Sequence, residues 1–176
     1  MTRPLTIVVT GTECTGKTTL AAWLAATLGA PLSAEYARKY VDQKRAPLTA
    51  ADVEPIARGQ MAGEDAALRS AVSVVVKDTD LLSTVVYARH YYGCCPAWIE
   101  QAAANRLGDL YLLLHPDVPW VADGLQRDRP AQRDLLHGLF RATLAVNGAR
   151  VVDIQGEWAA RYARAEGAIR GILPGS

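Results

Sequence analysis

The stretch VVTGTECTGKTTLA, from Val8 to Ala21, decides the fold, because its centre matches the pattern G-x-x-x-x-G-K-[ST]. Glycines at Gly11 and Gly16 let the backbone turn its N–H groups inward around phosphate oxygens. A helix beginning near Lys17 adds its positive end to that cradle. A Gly-rich turn that binds nothing is the alternative. Because the loop follows an apolar strand and opens a well-patterned helix, the context favours a loop that holds a nucleoside triphosphate.

Each residue of this loop is predicted to contribute to phosphate binding. The set is Gly11, Thr12, Glu13, Cys14, Thr15, Gly16, Lys17, Thr18 and Thr19. The Lys17 ammonium is expected to reach the β and γ phosphates, and the Thr18 hydroxyl to ligate Mg²⁺. The predicted cofactors are therefore ATP and Mg²⁺.

Length and composition indicate one soluble globular domain over residues 1–176, with half of the residues hydrophobic and 21% charged. The formal net charge of +1 gives no reason to expect nucleic acid or an anionic membrane as a partner. Three cysteines, two of them adjacent, make no disulfide framework, so a reducing cytoplasmic setting is expected. No apolar run approaches the length of a membrane span.

Apolar strand patterns alternate with helix patterns along the whole chain. This order predicts an α/β fold of the P-loop NTPase type, a five-stranded parallel sheet with helices on both faces. The predicted strands are 5–10, 30–35, 72–77, 109–116 and 149–156. Since ligands of such sheets bind beyond the carboxyl ends of the strands, the chemistry is expected there.

Acidic residues follow two of these strands. Asp78 and Asp80 leave the third strand, where a carboxylate can reach Mg²⁺; the alternative for Asp78 is a cap of the helix that starts at Leu81. Glu35 ends the second strand, where it can accept the proton of a substrate hydroxyl, or instead serve as a first-turn acid. Arg38 lies one helical turn later and can bind substrate or pair with Glu35.

The segment DGLQRDRPAQRD carries Arg127, Arg129 and Arg133 among acids. An Arg-rich lid can close over phosphates and neutralise the charge that builds up during transfer. A solvated loop with local ion pairs is the alternative. Catalytic roles are predicted for Arg127 and Arg129, and a nucleotide-binding role for Arg133. The three histidines lack the spacing of a ligand set.

Five segments together resemble the nicotinamide riboside kinase domain of the bacterial NadR family. They are GTECTGKTTLA, AEYARKYV, VVVKDTD, YLLLHPDVPWVADGLQRD and VVDIQGEWAARYARA, in the same order as in that family and spread over nearly the whole chain. The resemblance implies ATP-dependent phosphorylation of the ribose 5′-hydroxyl of a small-molecule nucleoside, nicotinamide riboside, in NAD biosynthesis. It covers the kinase domain only, so neither DNA binding nor adenylyl transfer is expected.

The resemblance also implies roles for individual residues. Lys17, Glu35 and Asp78 would be catalytic, with Thr18 and Asp78 at the metal. Trp120 and Asp123 fall in the matching VPWVADG segment and would touch substrate, together with Glu35, Tyr36, Arg38 and Asp80.

Two positions depart from the family pattern. The family places an aromatic side chain before the Glu-Tyr pair, where this chain has Ala34. A second aromatic side chain is expected in the helix around QMAGEDAAL, and none stands there. Tyr36, Tyr87 and Tyr91 are candidates to supply the missing ring. Two alternatives therefore stay open: a kinase for another nucleoside or vitamin-like alcohol, and an ATP-binding regulatory module without kinase activity.

Overall fold

The computed structural model describes residues 3–119 and 130–173. Within them, five strands form one parallel sheet in the order β2-β3-β1-β4-β5. The strands are β1 (Leu5–Thr10), β2 (Leu32–Ser33), β3 (Val74–Asp78), β4 (Leu110–Leu114) and β5 (Val151–Ile154). The α/β class and the five-stranded parallel sheet are thus as predicted. The second strand, predicted over residues 30–35, comprises only Leu32–Ser33.

Helices connect the strands and complete the alternation. They are α1 (Lys17–Leu28), α2 (Tyr36–Lys44), α3 (Val53–Ser70), α4 (Leu81–Tyr92), α5 (Ala97–Asn105), α6 (Arg133–Val146) and α7 (Trp158–Arg170). A short 3₁₀ turn, Ala50–Asp52, precedes α3 and begins with a capping box between Thr49 and Asp52. In the described part of the chain, no helix has both the length and the apolar character needed to cross a bilayer.

Two apolar cores lie on opposite faces of the sheet. On one face, Leu24 of α1 and Ile169 of α7 belong to a cluster that includes Ile7 and Val9 of β1. The cluster on the other face contains Val8 of β1 and buries residues of α3, α4, α5 and α6. Because successive side chains of a strand point to opposite faces, the apolar run of β1 supplies both clusters.

β1 lies at the centre of the sheet, between β3 and β4. The register pairs Val9 with Asp78 and Thr10 with Leu113. The loop after β1 therefore emerges beside the end of β3, at the carboxyl edge where the sequence predicted the chemistry.

Candidate functional site

The loop between β1 and α1 depends on two glycines with left-handed backbone. Gly11 has φ of +135°, and Gly16, the N-cap residue of α1, has φ of +87°. A Cβ at Gly11 would lie 2.8 Å from the Leu114 carbonyl oxygen, and a Cβ at Gly16 would lie 2.5 Å from the Trp158 ring. Backbone conformation and space both require glycine at these positions.

Lys17 is held against the loop that precedes it. Its side chain is buried, and its Nζ donates a 2.7 Å hydrogen bond to the carbonyl oxygen of Thr12. The Thr15 hydroxyl donates to the same oxygen at 2.9 Å. The ammonium thus lies at the amino end of α1, where the helix dipole also favours an anion.

Thr18 and Asp78 meet between the first turn of α1 and the end of β3. The Thr18 hydroxyl donates a 2.7 Å hydrogen bond to Oδ2 of Asp78. Oδ1 of Asp78 is buried and has no hydrogen-bond partner among the described residues. A buried carboxylate oxygen without a partner is costly, and hard oxygen donors suit Mg²⁺, so this pair fits a magnesium ion.

A cavity of about 540 Å³ opens in front of the loop. Its walls come from the loop, α2, α3 and α4, and the volume lies in the range of small-molecule sites. Glu35, the N-cap residue of α2, lines this cavity together with Arg38 and Asp42 of the same helix. The structure therefore brings Glu35 and Arg38 to the same space as the loop residues from Glu13 to Thr19.

Aromatic rings reach the cavity from α4. Tyr87 and Tyr92 line it, whereas Tyr91, the other candidate of this helix, is not among its lining residues. The Tyr36 ring packs instead against α3, so closely that a Cβ at Gly59 would lie 2.1 Å from it. Of the three candidate rings Tyr36, Tyr87 and Tyr91, only that of Tyr87 lines the cavity.

Asp80 faces the protein interior, away from the cavity wall. Its Oδ1 accepts a hydrogen bond of 3.1 Å from the Leu82 amide and caps α4, and its Oδ2 accepts one of 2.6 Å from the Tyr111 hydroxyl. Burial raises the pKa of Asp80 to about 6. The capping interpretation weighed for Asp78 therefore applies to Asp80, while Asp78 contacts Thr18.

Arg133, assigned to the lid from sequence, is the first residue of α6 and is buried. Its guanidinium donates to the carbonyl oxygens of Val118, at 3.0 Å, and Cys14, at 3.1 Å. It thus supports the backbone of the phosphate loop. The other predicted residues of the lid and the VPWVADG segment lie outside the described residues: Trp120, Asp123, Arg127 and Arg129.

Arg161 of α7 has an important position that sequence reasoning missed. It is fully buried and donates to the carbonyl oxygens of Thr15 at 3.0 Å, Gly156 at 2.7 Å and His115 at 3.3 Å, and it pairs with Asp117. One side chain thereby joins the phosphate loop to the ends of β4 and β5. In the sequence, nothing distinguishes it from the neighbouring arginines of an ordinary amphipathic helix.

A second polar cluster joins β4, β5 and α6. His115 Nε2 lies 2.8 Å from an Asp153 carboxylate oxygen, and the His137 ring lies 4.4 Å from the His115 ring. Although burial acts to raise the pKa of Asp153, hydrogen bonds from Arg141 and His115 lower it below its usual range. Sequence spacing did not indicate this grouping. The Arg141 guanidinium already compensates its carboxylate, which distinguishes it from the site at Asp78.

Comparisons with known proteins agree with this geometry. A protein family described as an AAA domain matches residues 6–161. The trifunctional NAD biosynthesis/regulator protein NadR of Salmonella typhimurium is 32% identical over 140 residues, which are 74% of this chain and 34% of that protein.

Solved structures show the same relationship. A NadR protein in complex with NR superposes with a TM-score of 0.86 at 27% identity, over 98% of this chain and 52% of that one. A NadR protein in complex with NAD and AMP-PNP gives a TM-score of 0.83 at 26% identity, over 98% of this chain and 50% of that one. The chain thus spans about a third of the curated relative and about half of the solved chains.

Proposed function

The chain belongs to the AAA domain family, and from that premise we propose that it is an ATP-dependent kinase for the ribose 5′-hydroxyl of nicotinamide riboside, giving nicotinamide mononucleotide in NAD biosynthesis. The similarity to NadR supports this choice of acceptor, and the bound AMP-PNP of a similar protein supports ATP as donor. The observation that carries the proposal is the convergence of the phosphate loop and Glu35 on one cavity.

The phosphate loop would hold the triphosphate of ATP. Its backbone N–H groups and the amino end of α1 favour an anion, and the Lys17 ammonium adds a positive charge. Moving Nζ from the Thr12 carbonyl oxygen to the phosphates would exchange a neutral acceptor for charged ones, which form stronger hydrogen bonds. The γ-phosphate would then face the cavity lined by α2.

Thr18 and Asp78 would hold Mg²⁺, which neutralises phosphate charge when bound. The proposal for these residues rests on the buried Oδ1 of Asp78 and on the hydroxyl beside it. The role of the protein is to keep both groups in place before ATP arrives. Asp78 provides that rigidity because it is buried at the end of β3 and pairs with Val9 of β1 in the sheet.

Glu35 would accept the proton of the ribose hydroxyl. As that oxygen forms its bond to the γ-phosphorus, the bond from phosphorus to the β-γ bridging oxygen breaks, and ADP leaves with the electron pair. Arg38, on the same wall, would orient the acceptor. Most of the acceleration would come from positioning and charge stabilisation, together on the order of 10 kcal/mol.

A second candidate function, a kinase for another nucleoside or vitamin-like alcohol, is favoured by the aromatic residues. Tyr87 and Tyr92 line the cavity from α4, while Ala34 stands where the family has a ring. Stacking on an aromatic face is worth about 0.5–1.5 kcal/mol beyond area burial. Rings on α4 instead of at position 34 would therefore favour a different base. A regulatory ATP-binding module is the remaining alternative.

The test is ADP release by the purified protein with magnesium, ATP and one acceptor at a time. Nicotinamide riboside, common nucleosides and thiamine form the panel, and mass spectrometry identifies the phosphorylated product. We expect nicotinamide riboside to give the highest kcat/KM and the 5′-monophosphate as product. Lys17→Ala, prepared in the same way, controls for contaminating kinases and should be inactive.

Each other outcome selects a different function. Faster turnover with another acceptor would support the second candidate and overturn nicotinamide riboside as substrate. ATP binding by calorimetry without release of ADP in the presence of any acceptor would favour the regulatory module.

A further inference from the structure

The position of Glu35 depends on how the amino end of α2 is held. Every residue of α2 is at least partly exposed, so the position of this helix depends on a few contacts with its neighbours. Glu35 is its N-cap residue, and its side chain makes no capping hydrogen bond to the helix. Because the first N–H groups of a helix need acceptors from outside it, a contact with another element at this terminus affects where Glu35 stands.

Gln60 of α3 supplies that support. Its side-chain oxygen, Oε1, accepts a 2.9 Å hydrogen bond from the backbone N–H of Tyr36, the first residue of α2. The first N–H groups of a helix have no acceptor within the helix itself. Gln60 therefore caps α2 from a neighbouring helix, directly beside Glu35.

The hydrogen-bond partners of the Gln60 carboxamide determine which side its oxygen and its nitrogen face. Its nitrogen donates to a carboxylate oxygen of Glu64 at 3.3 Å and to the Thr79 carbonyl oxygen at 3.4 Å. Rotating the amide would place its oxygen against these two acceptors and its NH₂ group against the Tyr36 N–H. Three unfavourable contacts would replace three favourable ones, so the surroundings determine which end faces α2.

Glu64 is itself fixed from the sheet. Lys77 of β3 donates to its carboxylate at 2.8 Å, and both side chains are buried. A buried ion pair with this geometry is rigid, because breaking it would leave a charge uncompensated. The contacts thus run from β3 through Glu64 and Gln60 to the first turn of α2.

The residue before Gln60 lets α2 approach closely. The Tyr36 ring occupies the space in which a side chain at position 59 would stand, with 2.1 Å between its nearest atom and a Cβ built on Gly59. Gly59 and Gln60 together form a docking surface for the amino end of α2. Gln60, 3% exposed, also lies on the cavity wall.

We propose that Gln60 is a positioning residue: its carboxamide fixes the amino end of α2 and thereby holds Glu35 at the distance from the phosphate loop that proton transfer requires. The claim that Gln60 holds Glu35 in place for proton transfer rests on the proposed kinase function. The claim that Gln60 holds the amino end of α2 is independent of that function and rests on the hydrogen bonds and on the packing of Tyr36 at Gly59. Because the Thr79 carbonyl follows Asp78, the same amide also connects the two elements that carry Glu35 and Asp78.

The test compares Gln60→Met, which keeps the length of the side chain without its hydrogen bonds, with Gln101→Met, an exposed glutamine of α5. Amide hydrogen exchange measured by NMR reports the docking of α2 without any assay of activity. We expect the Tyr36 amide to exchange about tenfold faster or more in Gln60→Met, and to be unchanged in Gln101→Met.

Steady-state kinetics then tests whether Gln60 positions Glu35 for catalysis. We expect Gln60→Met to lower kcat by about tenfold to a hundredfold, as for a catalytic group displaced by about 1 Å, with the affinity for ATP retained. In the Glu35→Gln background the same change should leave kcat almost unaltered, because the base it positions is gone.

Three results would overturn the inference. Unchanged Tyr36 exchange in Gln60→Met would remove the docking role. A raised KM for the acceptor at unchanged kcat would make Gln60 a substrate contact instead. If Gln60→Met lowers kcat by the same factor in the wild type and in the Glu35→Gln background, Gln60 does not act through Glu35. A wild-type protein that is inactive on every acceptor, but shows the exchange difference, would overturn the kinase function and leave the docking role in place.

Discussion

The Thr18 hydroxyl donates a 2.7 Å hydrogen bond to Asp78, and this contact joins the first turn of α1 to the last residue of β3. Direct pairing of β1 with β3 produces it, since Val9 lies opposite Asp78 in the register. The second carboxylate oxygen of Asp78 is buried and has no partner among the described residues. The two residues thus hold a hydroxyl and a carboxylate side by side, which is the geometry on which the proposed magnesium site rests.

Asp78→Asn should lower turnover by about a hundredfold or more, because it removes a negative charge from the proposed metal site. An amide oxygen can still accept the Thr18 hydrogen bond, so the fold should remain intact. Magnesium titrations of kcat measure the effect and should show a weakened dependence. Asp134→Asn, at an exposed acid in the first turn of α6, is the matched control. Wild-type magnesium dependence in Asp78→Asn would contradict the assignment.

Glu35→Gln should leave the affinity for ATP unchanged and lower kcat by about a hundredfold or more, since general base catalysis typically contributes 10²–10⁴-fold. Calorimetry with ATP and steady-state turnover separate the two effects. Glu54→Gln, which removes an exposed carboxylate of α3, is the control and should behave as wild type. Normal turnover of Glu35→Gln would show that another group accepts the proton.

Arg161→Met should destabilise the protein by about 2–4 kcal/mol, because three backbone carbonyl oxygens lose their donor. ATP affinity should fall as well, since one of those carbonyls belongs to Thr15 in the phosphate loop. Urea unfolding and calorimetry measure both quantities. Arg170→Met, at an exposed arginine of the same helix that pairs with Glu166, should cost at most about 1 kcal/mol. Equal costs for the two variants would refute the proposed support of the loop.

Gly16→Ala should abolish ATP binding and lower Tm, because φ is +87° and the added Cβ would lie 2.5 Å from the Trp158 ring. Gly29→Ala is the matched control. Its φ is +57°, and the added Cβ would meet no atom within 4 Å. The control should therefore show only the backbone strain, about 1–2 kcal/mol. Thermal unfolding with and without ATP distinguishes the variants, and similar losses of Tm would exclude a steric effect of Trp158.

Asp80 should make the stability depend on pH. Burial raises its pKa in the folded protein to about 6, from an ordinary value of 3.8. The folded state therefore binds this proton more tightly than the unfolded state does. The resulting stabilisation is fully present below pH 3.8 and is lost as pH rises through about 6. The loss amounts to about 3 kcal/mol in the free energy of unfolding.

Urea unfolding from pH 4 to pH 7 checks this prediction with Asp80→Asn as the comparison. Asparagine remains a good helix cap and does not titrate. We expect the free energy of unfolding of the wild type to fall relative to that of the variant over this range. Parallel curves for the two proteins would show that the pKa of Asp80 is not raised.

Local patterns in the sequence predicted the fold because their physical basis is local. An apolar run followed by the glycine loop and a patterned helix predicted β1, the loop and α1 without reference to distant residues. The capping box before α3 is equally local, because it joins Thr49 to Asp52, three positions later. Alternation of strands and helices then left few topologies, because crossovers between parallel strands are right-handed.

Local patterns could not distinguish between residues of the same type. Asp78 and Asp80 are two positions apart at the end of one strand, yet one contacts Thr18 and the other caps α4 and accepts from Tyr111. The choice depends on Tyr111, which lies on a different strand. The same holds for Arg161, because its structural role depends on the carbonyl oxygens of Thr15, His115 and Gly156, the first two of which are distant from it in sequence.

The sequence by itself determined that a phosphate-binding loop follows the first strand and that acids stand at the ends of the next two. Tertiary structure alone decided which acid contacts Thr18, which arginines support the loop and which glutamine caps α2. The physical reason is range: helix and strand signals arise from neighbouring residues, whereas buried hydrogen bonds such as those of Gln60 and Arg161 join groups that only the packed chain brings within 3.5 Å.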